Sequence, residues 1–395
     1  MIPPKIPLMK NVFLKEKETK KALARFIEKA DKLSMGRLCQ EFEIKFSQWQ
    51  GAKHAVLFNS GGSANLAMIQ ALKNLGKLKD GDTVGFSALT WSTNVMPIIQ
   101  MGLRPIAVDC EPTTLNVMSH QLEIKIRESP MKAFFITNAL GFAGDLDKIK
   151  NICRKNKIIL LEDNCEALGT ELAGSKTGNF GLASSFSFFV AHHMSTIEGG
   201  MVCTNDEELC DMLKIVRANG WDRNLHTHKQ RKWRKMHNIK TEFDSKYAFY
   251  DLGFNFKPTE ITGFLGLSQL KLVDYNIEIR NKNHRLFDNV IRKNPDLIPT
   301  NNLHLKKLSP FALPIICKGA GMKEKYKKRF TKAGVEIRPI IAGNIQEQPF
   351  YKKYAGHDNS NLVGASFLHN NGFYCGNYPD LSSGDVKTIL SCLRP

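Results

Sequence analysis

The chain has 395 residues, of which 42% are hydrophobic, with nine cysteines and a formal charge of +18. That length and apolar content suffice for a large globular protein of two or three lobes. The longest apolar runs, such as Phe186–Ala191 and Ile158–Leu161, fall far short of the roughly 20 residues that a helix needs to cross a bilayer, which argues against membrane insertion.

Met1–Lys10 carries Pro3, Pro4 and Pro7 but lacks the basic start and apolar centre of a signal peptide, so it is expected to be an ordered part of a cytoplasmic protein. Glu16–Lys32 places Ala22, Leu23, Phe26, Ile27 and Ala30 at helical spacing. His54–Phe58 reads as a buried strand, Asn59–Ser63 as a glycine turn and Ala64–Leu75 as an amphipathic helix. Thr83–Phe86, Arg104–Asp109, Ala133–Thr137 and Lys157–Glu162 are strand candidates separated by helical stretches such as Leu146–Lys155. This alternation implies a mostly parallel α/β sheet. Ala183–Phe189 and Gly200–Thr204 then read as two strands joined by a loop rich in polar side chains, His192 to Gly199. The basic run His228–Lys235, with Trp233 interleaved, is expected as a solvated loop or as a segment near an active site that attracts a nucleotide diphosphate. Glu260–Asn294 is helical, and Phe311–Cys317, Met322–Ala333 and Val335–Pro339 suggest strand, helix and strand. The expected division is 1–265, a large α/β domain, and 266–395, a smaller α+β domain. The cysteines show no CxxC pairs, and Cys203 and Cys210 are spaced unlike zinc or iron–sulfur ligands, so reduced thiols and no metal site are expected.

Three features lie in order at the ends of different strands. The turn Ser60-Gly61-Gly62-Ser63-Ala64 leaves backbone N–H groups free to cradle a phosphate, although glycine turns also serve purely steric ends. Trp91, after the second strand, offers a flat face for a ring, or fills the core. Asp163, in Leu160-Leu161-Glu162-Asp163-Asn164-Cys165-Glu166, is a buried acid wanting a cation; a protonated pyridine nitrogen of a vitamin B6 cofactor would serve, and a helix cap is the alternative. Their conjunction points to a ligand site.

Order and spacing resemble the sugar aminotransferases that include perosamine, desosamine and aminoarabinose synthases, over nearly the whole chain. The resemblance implies the fold-type I pyridoxal phosphate aminotransferase architecture. In that family a Ser-Phe-x-x-x-Lys-x-x-x-x-x-Glu-Gly-Gly stretch supplies the lysine that binds the cofactor covalently; here the stretch runs from Ser187 and Phe188 to Glu198, Gly199 and Gly200, and His192 stands at the lysine position. This substitution is similar to that of the GDP-4-keto-6-deoxymannose 3-dehydratases of colitose biosynthesis and of the iron–sulfur CDP-sugar dehydrases. No cysteine occurs between 211 and 316, which favours the former and no iron–sulfur cluster.

By resemblance, Gly62, Ser63 and Ser187 would bind the cofactor phosphate, Trp91 would cover the ring, Asp163 would pair with its nitrogen and Glu166 would approach its hydroxyl. Asn255 would reach the phosphate in the neighbouring subunit of an obligate homodimer with shared active sites. Arg223 and Asn224, in Gly220-Trp221-Asp222-Arg223-Asn224, and Arg338 and Asn344, in Arg338-Pro339-Ile340-Ile341-Ala342-Gly343-Asn344, would contact substrate. His192 would be the catalytic proton carrier, while His193 would point away from it and carry no catalytic role. The implied reaction uses pyridoxamine phosphate to remove the C3 hydroxyl of a nucleotide-linked 4-keto-6-deoxy sugar, hexose or heptose. L-glutamate would restore the amine, in the service of a 3,6-dideoxysugar of a bacterial surface polysaccharide such as lipopolysaccharide O-antigen. Two other readings stand beside it: a 4-aminotransferase using another lysine, and a non-catalytic basic protein that binds nucleic acid.

Overall fold

The computed structural model describes residues 4–395; Met1, Ile2 and Pro3 lie outside the described residues. From Pro4 the N-terminal stretch is tied down, since Ile6 is buried and exchanges backbone hydrogen bonds with Gly334 (3.0 Å) and Glu336 (2.9 Å).

Thirteen strands are named in chain order: β1 His54–Phe58, β2 Thr83–Ser87, β3 Arg104–Val108, β4 Ala133–Thr137, β5 Ile159–Asp163, β6 Glu171–Leu172, β7 Ser175–Lys176, β8 Ala183–Ser187, β9 Gly200–Thr204, β10 Leu297–Ile298, β11 Ala312–Cys317, β12 Ile337–Pro339 and β13 Gly372–Gly376. Seven form the central sheet in the order β1-β9-β8-β5-β4-β2-β3, in which β9 runs antiparallel to both neighbours and the other pairings are parallel. Its strands are buried along most of their length, as expected where helices cover both faces. The helix Gly61–Asn74 packs on one face and Ser119–Glu128 and Leu146–Lys155 on the other. Four strands, β10-β11-β13-β12, make a second, antiparallel sheet with its own apolar cluster around Phe287, Tyr326 and Phe373. Among the described residues no helix is long and apolar enough to cross a membrane.

Several expected elements differ. The helical stretch 260–294 is two helices, Glu260–Leu270 and Val273–Ile291, broken at 271–272. The expected boundary at 265/266 falls inside the first of them. The second bridges the lobes, with Val273 and Ile277 in the cluster under the central sheet and Phe287 and Ile291 in that of the small sheet. The basic run is a helix, Thr227–Met236, rather than a solvated loop. Trp233 packs against the core, and Lys229 pairs with Glu207 and Asp211 (2.8 and 2.9 Å) and Arg234 with the buried Asp222 (2.9 Å).

Strand β1 is an edge strand whose outer backbone is capped by side chains. The N–H of Leu57 donates to Glu43 (2.8 Å), its carbonyl accepts from Arg217 (2.7 Å), and these two buried side chains form an ion pair at 2.5 Å. The clamp closes the sheet edge and holds the strand that leads into Ser60. We expect Arg217→Met to leave Glu43 buried and unpaired and to cost about 3 kcal/mol in chemical denaturation, with the double variant Arg217→Met/Glu43→Leu recovering part of the loss.

Candidate active site

The ends of β1, β2, β4, β5 and β8 deliver their following loops to one edge of the central sheet, where α/β folds place ligands. Between this edge and the small sheet lies a cavity of about 370 Å³, large enough for a cofactor. Of the residues singled out in the sequence, Gly62, Trp91, Asp163, Glu166, Ser187 and His192 line it.

At one end the glycines are the first turn of the helix Gly61–Asn74, not a loop before it. Ser60 is the N-cap, its Oγ accepting from the N–H of Ser63 (3.0 Å) while its hydroxyl donates to the Ser63 Oγ (2.9 Å). A Cβ at Gly61 would stand 2.6 Å from the Cβ of Ser187, so glycine is required there for β8 to approach. The helix start therefore offers backbone N–H groups, the positive end of its dipole and nearby hydroxyls to an anion.

The floor is formed by Asp163, buried at the end of β5. One oxygen accepts from Asn65 (2.9 Å) and Asn94 (2.7 Å), the other from the N–H of Cys165 (2.9 Å). Among the described residues no lysine, arginine or histidine lies within ion-pair distance of it. A buried carboxylate held only by neutral donors calls for a cation. Glu162, the preceding acid, faces the other way and accepts from the N–H groups of Gly178, Phe180 and Gly181 (2.7 Å each). Glu166 accepts from the N–H of Leu140 (2.8 Å), and burial outweighs that bond and pushes its carboxyl up to about 7. At the mouth the indole of Trp91 is 59% exposed, an apolar face without a cover.

His192 enters from the loop after β8. A turn in which its N–H donates to the Phe189 carbonyl (2.9 Å) sets its backbone, and its Nδ1 donates to the Ser187 carbonyl (3.2 Å). Because that carbonyl only accepts, the neutral ring carries its proton on Nδ1 and its lone pair on Nε2. Burial, only partly opposed by Asp163 and the Ser187 bond, holds the imidazole down at about 4. His193 turns away, its Nε2 donating to the Ser309 carbonyl (3.1 Å).

The remaining candidates stand elsewhere. Asn255, Arg223 and Asn224 line a second groove of about 530 Å³, with Lys32 and Lys257. Arg338 is exposed on β12, opposite Tyr374 and paired with Glu336 (2.5 Å). Asn344 does not reach the cavity, since its amide is taken up by Ser366 (3.0 Å) and the N–H of Gln346 (3.0 Å). Residues given no role from the sequence also line it, among them Asn94, Thr93, Cys165, Glu198 and, from the small lobe, Phe311 and Tyr374. Nothing local marks Phe311 or Tyr374, nor Asn65 and Asn94, which stand 98 and 69 residues from Asp163 along the chain.

The profile of the DegT/DnrJ/EryC1/StrS aminotransferase family matches residues 14–394. The chain is 34% identical over 376 residues to a GDP-4-keto-6-deoxy-D-mannose 3-dehydratase of Yersinia pseudotuberculosis, with 94% of each chain covered. Its structure is similar to that of the E. coli GDP-4-keto-6-deoxy-D-mannose 3-dehydratase with bound hydrated pyridoxal phosphate, with a TM-score of 0.90, 32% identity and coverage of 99% and 100%. It is similar also to a GDP-4-keto-6-deoxymannose 3-dehydratase with a trapped cofactor–glutamate geminal diamine, with a TM-score of 0.89, 31% identity and coverage of 99% and 100%.

Since the carboxyl of Glu166 is raised in the folded protein, its ionisation opposes folding. Stability contributed by the protonated form is complete below the ordinary carboxylate range and is lost as pH rises to about 7. Glu166→Gln should therefore flatten the fall in stability of the cofactor-free protein between pH 5 and pH 8, read by urea denaturation at each pH.

Proposed function

The chain belongs to the DegT/DnrJ/EryC1/StrS aminotransferase family, and on that premise we propose that it removes an oxygen from its substrate rather than adding a nitrogen. It is a pyridoxal and pyridoxamine phosphate-dependent 3-dehydratase of a nucleotide-linked 4-keto-6-deoxy sugar, GDP-4-keto-6-deoxymannose or a heptose analogue, with L-glutamate as amine donor. The observation that carries this reading is His192 in the cavity where the family places its lysine. Among the described residues no lysine lines that cavity, and an aminotransferase needs one.

The residues present fit the cofactor. The N–H groups of Gly61 and Gly62 with Ser63 and Ser187 would hold its phosphate, Trp91 would cover the ring, Asp163 would supply the counter-charge to a protonated ring nitrogen, and Glu166 would meet the ring hydroxyl. When bound, the cofactor supplies an electron sink that weakens bonds next to the sugar ketone. The protein's part is then proton management. His192, neutral at physiological pH, presents the Nε2 lone pair to accept a proton. Once charged, an imidazolium whose neutral form is so favoured by burial is a strong donor, suited to hydroxyl departure, a poor leaving group.

Among the described residues the cavity is lined by three acidic side chains, Asp163, Glu166 and Glu198, and by no arginine or lysine, yet a cofactor phosphate and a nucleotide diphosphate both need cations. The groove with Asn255, Lys32, Arg223 and Lys257 would supply them to a second copy of the chain. The exposed Phe243, Tyr247, Phe249 and Leu252 give an apolar patch for such a contact. We therefore propose a homodimer with shared sites.

Mass spectrometry of the sugar nucleotide after incubation with GDP-4-keto-6-deoxymannose, pyridoxal phosphate and glutamate should detect loss of the C3 oxygen; nitrogen retained at C4 would overturn the reading in favour of an aminotransferase. His192→Asn should bind the cofactor without turnover, and His192→Lys should lose dehydration. Refolding His192→Asn together with Asn255→Ala should restore about a quarter of wild-type activity, because mixed dimers carry one intact site; no recovery would exclude shared sites.

A further inference from the structure

Behind His192, away from the cavity, Arg280 is 1% exposed on the helix Val273–Ile291. Among the described residues no carboxylate lies within ion-pair distance of it, although an unpaired buried guanidinium is costly. Burial lowers it to about 9, so it remains a cation at neutral pH.

Its hydrogen bonds converge on the surroundings of one residue. Nη1 donates to the Phe311 carbonyl (2.6 Å) and the Asn377 carbonyl (2.5 Å), and the Phe311 ring packs edge-on against His192 with centroids 5.4 Å apart. Nε donates to Asn276 (2.8 Å), whose own amide donates to the carbonyl of His193, the residue after His192. Nη2 has no partner, and neither has Nδ1 of the buried His193. Both residues, with His192, border a cavity of about 20 Å³, room for a single water. With Nε2 of His193 donating to Ser309, its Nδ1 is an acceptor. A water there would accept from Arg280 and donate to His193, satisfying both orphans.

We propose that Arg280 is the positioning residue of His192, bracing the imidazole from the Phe311 side and the His193 side at once, with one buried water closing the network. A guanidinium reaches these carbonyls in a fixed fork that lysine does not offer. Its charge also disfavours an imidazolium at His192. The other titratable groups bordering His192 are Asp163, Cys165, Glu166, Glu198 and Tyr374 on the cavity side and His193 and Asp380 behind.

The inference rests on the catalytic role of His192, and the test separates the two. In cofactor-free protein with labelled histidine, Arg280→Met should raise the titration midpoint of His192 observed by NMR, and Arg280→Lys should return it towards wild type. In the holoenzyme, Arg280→Met should lower kcat about 100-fold while the KM for the sugar nucleotide and the affinity for pyridoxal phosphate hold, with Arg280→Lys recovering only part. An unmoved His192 midpoint, or a fall in kcat matched by lost cofactor affinity, would overturn the proposal. If Arg280→Met does not fold, Asn276→Ala, which cuts only the brace to His193, must lower kcat with KM unchanged, or the proposal fails. A wild-type protein that does not dehydrate the substrate would strike the proposed function alone, leaving the titration to decide on Arg280.

Discussion

The arrangement turns on a negative charge that the chain buries and does not neutralise. Asp163 closes a strand in the middle of the sheet, where water is scarce, and is met by two amides and a backbone N–H rather than by a cation. Neutral donors do not cancel a carboxylate's field as a cation would, so the field remains available to a ligand. The rest follows around it: the helix start at Gly61 presents the opposite partial charge to the same cavity, and Trp91 leaves an exposed apolar face at its mouth. Buried charge at the floor, an anion cradle at one end and a flat apolar face at the mouth describe a phosphorylated, cationic aromatic ring more narrowly than any one of the three.

The helix Val273–Ile291 belongs to both lobes, and through it the small lobe reaches the site from behind. Arg280 is on its buried face, while Phe311 and Tyr374 come from the chain that forms the second sheet. His192 thus stands between a buried anion in front and a buried cation at its back. Moving the two lobes apart would disturb the imidazole, its edge contact with Phe311 and the cavity lining together, which argues for lobes that act as one rigid unit.

Much of this was legible in the residues, and the limits have physical causes. Strands β1, β4 and β9 were read with their observed bounds because short β-rich runs between turn signals have few alternatives. The glycine turn and Asp163 are legible because each lies at the end of such a strand, whereas His192 is legible only from the family stretch that its surroundings resemble. The break at 271–272 was not, since no glycine or proline marks it. The run 228–235 is solvated along much of its length, as its charge implies, but it is a helix rather than a loop, held by ion pairs from Lys229 and Arg234 to Asp211 and Asp222, partners that lie outside the run. Asn65 and Asn94 carry no pattern of their own; only the burial of Asp163 gives their amides meaning. Asn344 was placed at the substrate by a motif, yet its amide is spent within the fold.

The pairing of β1 has a consequence for how the protein is made. Its sheet partner is β9, with Leu57 opposite Met201, and its outer edge is capped by Arg217 from further along still. During synthesis an apolar strand near the N-terminus must wait until both have left the ribosome, with its hydrogen-bonding edges open throughout. Expression yield should therefore depend on chaperone supply and growth temperature more than the stability of the finished molecule would suggest, and truncation before Arg217 would leave an aggregation-prone fragment rather than a smaller folded domain.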